Sequence, residues 1–168
     1  AYHNKHEVDI RIARIFNTYG PRMRLNDGRA LPNFMRQAIN GKPLTVYGDG
    51  SQTRSFCYVD DLMNGIYSLL QWDPNQSAQD QTPKTRYPVF NFGNPDEISI
   101  LEFAQEVIEI TGTQSSITHE PLPKNDPQVR RPDISKVSEK LNWQPEVERR
   151  KGLKMVIPYF EEQLNADE

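Results

Sequence analysis

Residues 41–62 read GKPLTVYGDGSQTRSFCYVDDL, and the fold hangs on how that stretch is parsed. Leu44 and Val46 alternate before the turn, and Phe56 and Tyr58 alternate after it, the period of half-buried strands. Between them, Gly48-Asp49-Gly50 supplies residues that tolerate a positive φ, so the stretch predicts two strands flanking a tight hairpin-like turn. Asp60 or Asp61 then stands where a helix N-cap belongs, ahead of DLMNGIYSLLQW with Leu62, Ile66, Leu69 and Leu70 as its buried stripe. The glycine turn has a strand behind it where a dinucleotide-binding loop would have a helix.

Upstream, VDIRIARIF (residues 8–16) has the β-branched, period-two pattern of a strand running into a loop at NTYGPRM. LPNFMRQAIN (31–40) spaces Leu31, Phe34, Met35, Ala38 and Ile39 for one helix face, closed by Gly41. Downstream, the polar stretch 73–87 predicts a surface loop, PVFNF (88–92) a strand, and Ser99 with Glu102 a capping box opening a helix that Gly112 stops. SSITHEPLP is a brief strand, Asp133 caps a helix ending before Pro145, and a last helix covers roughly 150–165. Pro158 is expected to kink or shorten that helix. The pattern is mixed α/β.

The chain has 168 residues, 36% of them hydrophobic and 26% charged, with a formal charge of −3. That suits one domain with a rather thin core. No apolar run is long enough for a membrane helix, and no secretory leader opens the chain. The single cysteine, Cys57, allows no internal disulfide and no metal set, which points to a reducing, cytoplasmic setting. Residues 1–60 carry 9 Lys+Arg against 5 Asp+Glu, a net +4 inside an acidic protein. This pattern suits a local anion site, whereas nucleic acid would call for a broad basic face. Arg22, Arg24, Arg29, Arg54, Arg130 and Arg131 all fall in turn-rich stretches, where the guanidinium fork matches phosphate oxygens. His3 and His6 lack metal-ligating companions, His119 is solitary, and no catalytic constellation is complete.

NTYGPRMRLNDGRALPNF (17–34) and YGDGSQTRSFCYVDD (47–61), continued by FNFGNPDEISILEFAQEVIEITG and DPQVRRPDISKVSEKLNWQP, closely resemble the extended short-chain dehydrogenase/reductase superfamily. The PRM-x-x-NDGR stretch favours its UDP-glucuronate decarboxylase branch; the alternatives are a nucleotide-sugar 4,6-dehydratase or epimerase, or a non-catalytic nucleotide-sugar-binding module. The resemblance implies the C-terminal part of such an enzyme: residues 1–168 form a nucleotide-sugar-binding portion, of which 1–30 contribute to the edge of an NAD-binding Rossmann domain. It implies NAD as cofactor, a UDP-sugar as ligand and a homodimer. Oxidation of the sugar at C4 would make the adjacent carboxylate a leaving group. The Tyr-x-x-x-Lys pair and the glycine-rich cofactor loop are expected upstream of Ala1, which leaves no catalytic residue in this chain and predicts no activity for it alone. Substrate contacts are expected from Asn17, Asn33, Tyr47, Gln52, Arg54, Arg130 and Arg131, and cofactor contacts from Thr18 and Arg29. Gly20, Pro21, Gly48 and Gly50 read equally well as turn formers, Tyr58 as core and Asp60 as a helix cap. The 73–87 loop and Pro158 depart from the family pattern.

Overall fold

The computed structural model describes residues 5–6, 8–73, 88–124 and 126–166. Along the chain these form β1 (Ile12–Ile15), β2 (Thr18–Tyr19), α1 (Ala30–Ile39), β3 (Leu44–Tyr47), β4 (Thr53–Ser55), β5 (Cys57–Tyr58), α2 (Val59–Gln71), β6 (Val89–Phe92), β7 (Glu97–Ser99), α3 (Ile100–Thr111), β8 (Ile117–Glu120), β9 (Val129–Arg130), α4 (Ser135–Leu141) and α5 (Arg149–Ala166). Lys5 and His6 are helical, as the reading of the chain's start expects. The rest of that helix tail, His3 and the 74–87 loop lie outside the described residues. Among the described residues no helix is long and apolar enough to cross a membrane, and no group of side chains could hold a metal ion.

Four small sheets result, and most of their pairings are parallel. β1 pairs with β6, β2 with β5 and β3 with β8, each in parallel register. β4 sits between antiparallel β7 and parallel β9. Parallel partners need a crossover, and α2 makes it between β1 and β6, α3 between β3 and β8. The hairpin expected across Gly48–Gly50 does not form, because the glycines turn the chain out of one sheet and into another. Gly48 extends the β3–β8 ladder by donating to the Glu120 carbonyl at 2.8 Å. Gly50, at φ +77°, lies so close to Val46 and Leu101 that a Cβ would sit 2.8 Å from both side chains. The backbone then leaves toward β7 and β9, since period-two alternation identifies a strand without naming its partner.

Two apolar clusters follow from the helix stripes. The larger gathers Leu31, Phe34, Met35 and Ala38 of α1 with Phe103, Ala104 and Val107 of α3 and Leu153, Val156 and Phe160 of α5. Phe56 stacks on Phe103 at 4.3 Å between centroids. The smaller packs Leu62 and Leu69 of α2 against Phe90 and Phe92 of β6, Val137 of α4 and Trp143. Leu70, expected in the α2 stripe, is 63% exposed. Its place is taken by Gly65, whose bare backbone lies against Phe92 and the Trp143 indole.

Local signals mostly hold. Ser99 and Glu102 form a full capping box, and Gly112 ends α3 in the left-handed region. The Ser99 hydroxyl and amide hold the Glu102 carboxyl below its ordinary value, so the cap's contribution is present above that ordinary value and is lost as pH falls through the depressed one. Ser99→Ala is expected to lower stability by about 1 kcal/mol, measured by denaturant unfolding.

The aspartates of α2 do not cap it. The cap position is Tyr58, with Asp60 and Asp61 in the first turn, where their charge favours the helix dipole. Asp61 is buried, and its carboxylate accepts the Val147 amide at 2.9 Å, while its carbonyl accepts the Trp143 indole N–H at 2.9 Å. Asp133 accepts the Ser135 amide at 2.9 Å from one residue outside the α4 cap, which is Ile134. Pro158 does not shorten α5, which runs unbroken for 18 residues. The proline lies on the exposed side, where water can satisfy the carbonyl it leaves without a donor.

Candidate functional site

Between the N-terminal end of α1, the β3–β4 turn and the segment leading into β9 lies a cleft of about 470 Å³. Its walls include Asn17, Thr18, Arg29, Asn33, Tyr47, Gln52, Arg54 and Arg130. Eight of the nine residues singled out from the sequence therefore meet in one place. Arg131 does not. Arg130 is the register partner of Arg54 in the parallel β4–β9 pair, so the two share a face. Arg131, the residue just past β9, lies outside the cleft, 3.7 Å from Glu97.

Each wall residue is placed by its backbone. β2 and β5 pair at the cleft floor, where the Asn17 carbonyl accepts the Cys57 amide at 2.8 Å. The Gln52 side chain, 4% exposed, closes the β3–β4 turn by donating to the Tyr47 carbonyl at 3.0 Å. Tyr47 itself is 43% exposed, leaving its ring free to stack against a planar group. α1 begins with no side-chain cap and no acidic residue in its first turn. Its first residues, Ala30 and Leu31, line the cleft, which places the positive end of the helix dipole beside it.

The cations differ in their availability. Arg29 is paired with Asp27 and donates to the Thr18 carbonyl at 3.3 Å. Arg54, 8% exposed, donates to the Asp126 carboxylate at 2.6 Å, to the Pro127 carbonyl at 2.8 Å and to its own neighbour's carbonyl at 2.7 Å. Arg130 is exposed, and among the described residues no acceptor lies within hydrogen-bond distance of its guanidinium.

Lys124, Asp126, Pro123 and Pro127 also line the cleft, and sequence reading missed all four. The two prolines bracketing a charged stretch were the available signal, and they give no direction for the side chains.

Cys57 is fully buried beneath this floor, and burial pushes its thiol up to about 12. It is therefore a core residue, and thiol-labelling at pH 8 is expected to modify it only after unfolding. Burial likewise raises the Tyr19 hydroxyl, which donates to the Arg149 carbonyl at 3.1 Å.

Residues 1–81 match the sequence profile of the NAD dependent epimerase/dehydratase family. UDP-glucuronic acid decarboxylase 1 of Arabidopsis thaliana is 46% identical over 168 residues, covering 99% of this chain and 36% of its own length. The Danio rerio protein of the same name is 48% identical over 164 residues, with 98% and 36% covered. The chain thus spans little more than a third of these relatives. Among solved structures, UDP-glucuronic acid 4-epimerase from Bacillus cereus, in complex with UDP-glucuronic acid and NAD, superposes with a TM-score of 0.79 at 30% identity. That match covers 96% of this chain and 48% of the other. DesIV, a dTDP-glucose 4,6-dehydratase from Streptomyces venezuelae, shares the fold with a TM-score of 0.80 at 23% identity, over 98% of this chain and 48% of its own. The chain is thus similar over its length to members of the NAD dependent epimerase/dehydratase family, shares the extended short-chain dehydrogenase/reductase fold of the solved structures, and corresponds to the C-terminal part of its longer relatives.

Proposed function

We propose that the longer protein to which this chain corresponds is an NAD-dependent UDP-glucuronate decarboxylase, and that these residues supply its UDP-sugar site. The observation that carries this reading is the cleft itself. It brings an uncapped helix start, an exposed tyrosine and the exposed Arg130 to one concave surface, in a chain 42–48% identical to proteins named for that reaction. Tyr47 and Gln52 suit a planar nucleobase, while Asn33, the first α1 amides, Arg130 and Lys124 suit a diphosphate. Asn17, on the cleft floor, would meet the sugar.

The cofactor is a different matter. The Thr18 hydroxyl donates to the Phe16 carbonyl at 2.9 Å, and Arg29 is neutralised by Asp27. Arg29 is half exposed and keeps N–H groups beyond those given to Asp27 and the Thr18 carbonyl, so it remains our candidate for the cofactor, with Thr18 beside it. β1 leaves apolar side chains open on both of its faces, Ile12 40% exposed on one and Ile15 53% on the other, which agrees with the assignment of residues 1–30 to the edge of a larger parallel sheet, since such sheets are covered on both faces. A homodimer formed through helices of that Rossmann half is part of the same proposal.

A second reading, 4-epimerisation of UDP-glucuronate, is favoured by the 30% identical Bacillus cereus structure. One experiment separates the two. The longer protein, given NAD and UDP-glucuronate labelled at the carboxyl carbon, is expected to release labelled carbon dioxide and leave a UDP-pentose. Formation of the 4-epimer without gas release would replace the first reading with the second. The 168-residue chain alone is expected to release no label and to retain no NAD.

A further inference from the structure

The segment between β8 and β9 forms one wall of the cleft through Pro123, Lys124, Asp126 and Pro127, and then delivers Arg130 on β9. Its ends are tied by the sheets: Gly48 donates to Glu120 and Thr53 donates to Gln128, both at 2.8 Å. Between those ends, among the described residues, the hydrogen bonds that join positions 121–127 to the rest of the fold all come from Arg54. Its Nη1 reaches the Pro127 carbonyl and its Nη2 the Asp126 carboxylate.

Resting on the reading of the cleft as a UDP-sugar site, we infer that the Arg54–Asp126 ion pair is a catch that holds this segment over the cleft, and that Asp126 is a positioning residue for anion binding by Lys124 and Arg130. The chemistry of the pair supports this. A carboxylate on the wall of a diphosphate site would ordinarily repel the ligand. Here its charge is matched by a guanidinium only 9% exposed, which itself needs a fixed counter-charge to stay buried. The guanidinium fork reaches a backbone carbonyl and a side chain of the same segment, so the pair fixes the segment's position as well as balancing charge. Asp126, in this arrangement, acts on the ligand through the segment, while Arg54 and Arg130 both line the cleft side by side.

The alternative role for Asp126 predicts the opposite result. If Asp126 merely occupied Arg54 in place of a phosphate, removing it would free a cation and tighten binding. UDP affinity is therefore to be measured calorimetrically in the longer protein carrying Asp126→Ala, Asp126→Glu, Arg54→Met or the Asp126→Ala/Arg54→Met pair. The catch predicts that each of Asp126→Ala and Arg54→Met weakens UDP binding by about tenfold or more, that the double variant is no weaker than the worse single one, and that Asp126→Glu recovers most of the loss. Limited trypsin digestion, which needs no ligand, is expected to cut faster after Lys124 in Asp126→Ala and Arg54→Met by a larger factor than after the chain's other lysines and arginines, which tells local release from a general loss of stability. Unchanged or tighter UDP binding in Asp126→Ala, or an unchanged cutting rate after Lys124, would overturn the catch. Failure of the parent protein to bind UDP would instead overturn the ligand reading, and the digestion would still decide the catch.

Discussion

Arg149→Met is expected to lower stability by about 3–5 kcal/mol, the cost of leaving a buried charge without its partner. Arg149 opens α5, donating from Nε to Glu106 at 2.8 Å and from Nη1 to Asp96 at 2.7 Å. A cation at a helix N-terminus works against the dipole, so the position is explained by the acids it meets. Glu106 lies on α3 with its side chain 10% exposed, and Met at 149 would strand that carboxylate. The same backbone carries a second tie, since the Arg149 carbonyl accepts the Tyr19 hydroxyl. Tyr19 in turn meets Phe56 and Tyr58 edge-on, joining the α3–α5 packing to the cleft floor. Denaturant unfolding of Arg149→Met, and of Arg149→Met/Glu106→Leu, checks the assignment. The double variant removes both charges and should regain most of the loss. A single variant within about 1 kcal/mol of the parent would mean that the pair is solvated and weak.

What the sequence disclosed about the fold was local. α1 and α3 were legible because their apolar stripes, the Ser99–Glu102 box and the stops at Gly41 and Gly112 all act within one helical turn of the residues that encode them. The partner of β3 was not legible. Leu44 and Val46 announce a half-buried strand, but the choice of Ile117 and His119 as neighbours over Phe56 and Tyr58 is made about 70 residues away by the packing of α3. Asp61 misled for a related reason. A carboxylate ahead of a helix looks like a cap, and its use by the Val147 amide depends on a loop 86 residues downstream. Pro158 breaks a rule whose cost is small where the freed carbonyl can reach water.

The site was legible in a different way. Residue types and spacing suggested no more than arginines on turns. The resemblance at 17–34 and 47–61 selected the particular residues, and the fold then gathers eight of them. Asp126 escaped both routes, since an acid in an anion site is the choice that charge logic discourages until its pairing with Arg54 is seen.

Arg130→Met is expected to weaken UDP binding in the longer protein by about 10- to 150-fold, the 1.5–3 kcal/mol of a charge-assisted phosphate contact. Arg130 is the cleft arginine whose guanidinium has no acceptor among the described residues, while Arg29 and Arg54 are each committed to an aspartate. It stands on β9 in register with Arg54 and one residue before Arg131. That neighbour is the control, because it lies outside the cleft and pairs with Glu97. Arg131→Met should change UDP affinity by less than about twofold, as expected for a surface ion pair. Both side chains are exposed, so neither substitution should disturb the core, and the comparison isolates the direction in which each arginine points. Equal losses from the two variants in calorimetric titration would mean that the diphosphate is read by net charge alone, and the assignment of Arg130 as its direct ligand would fall.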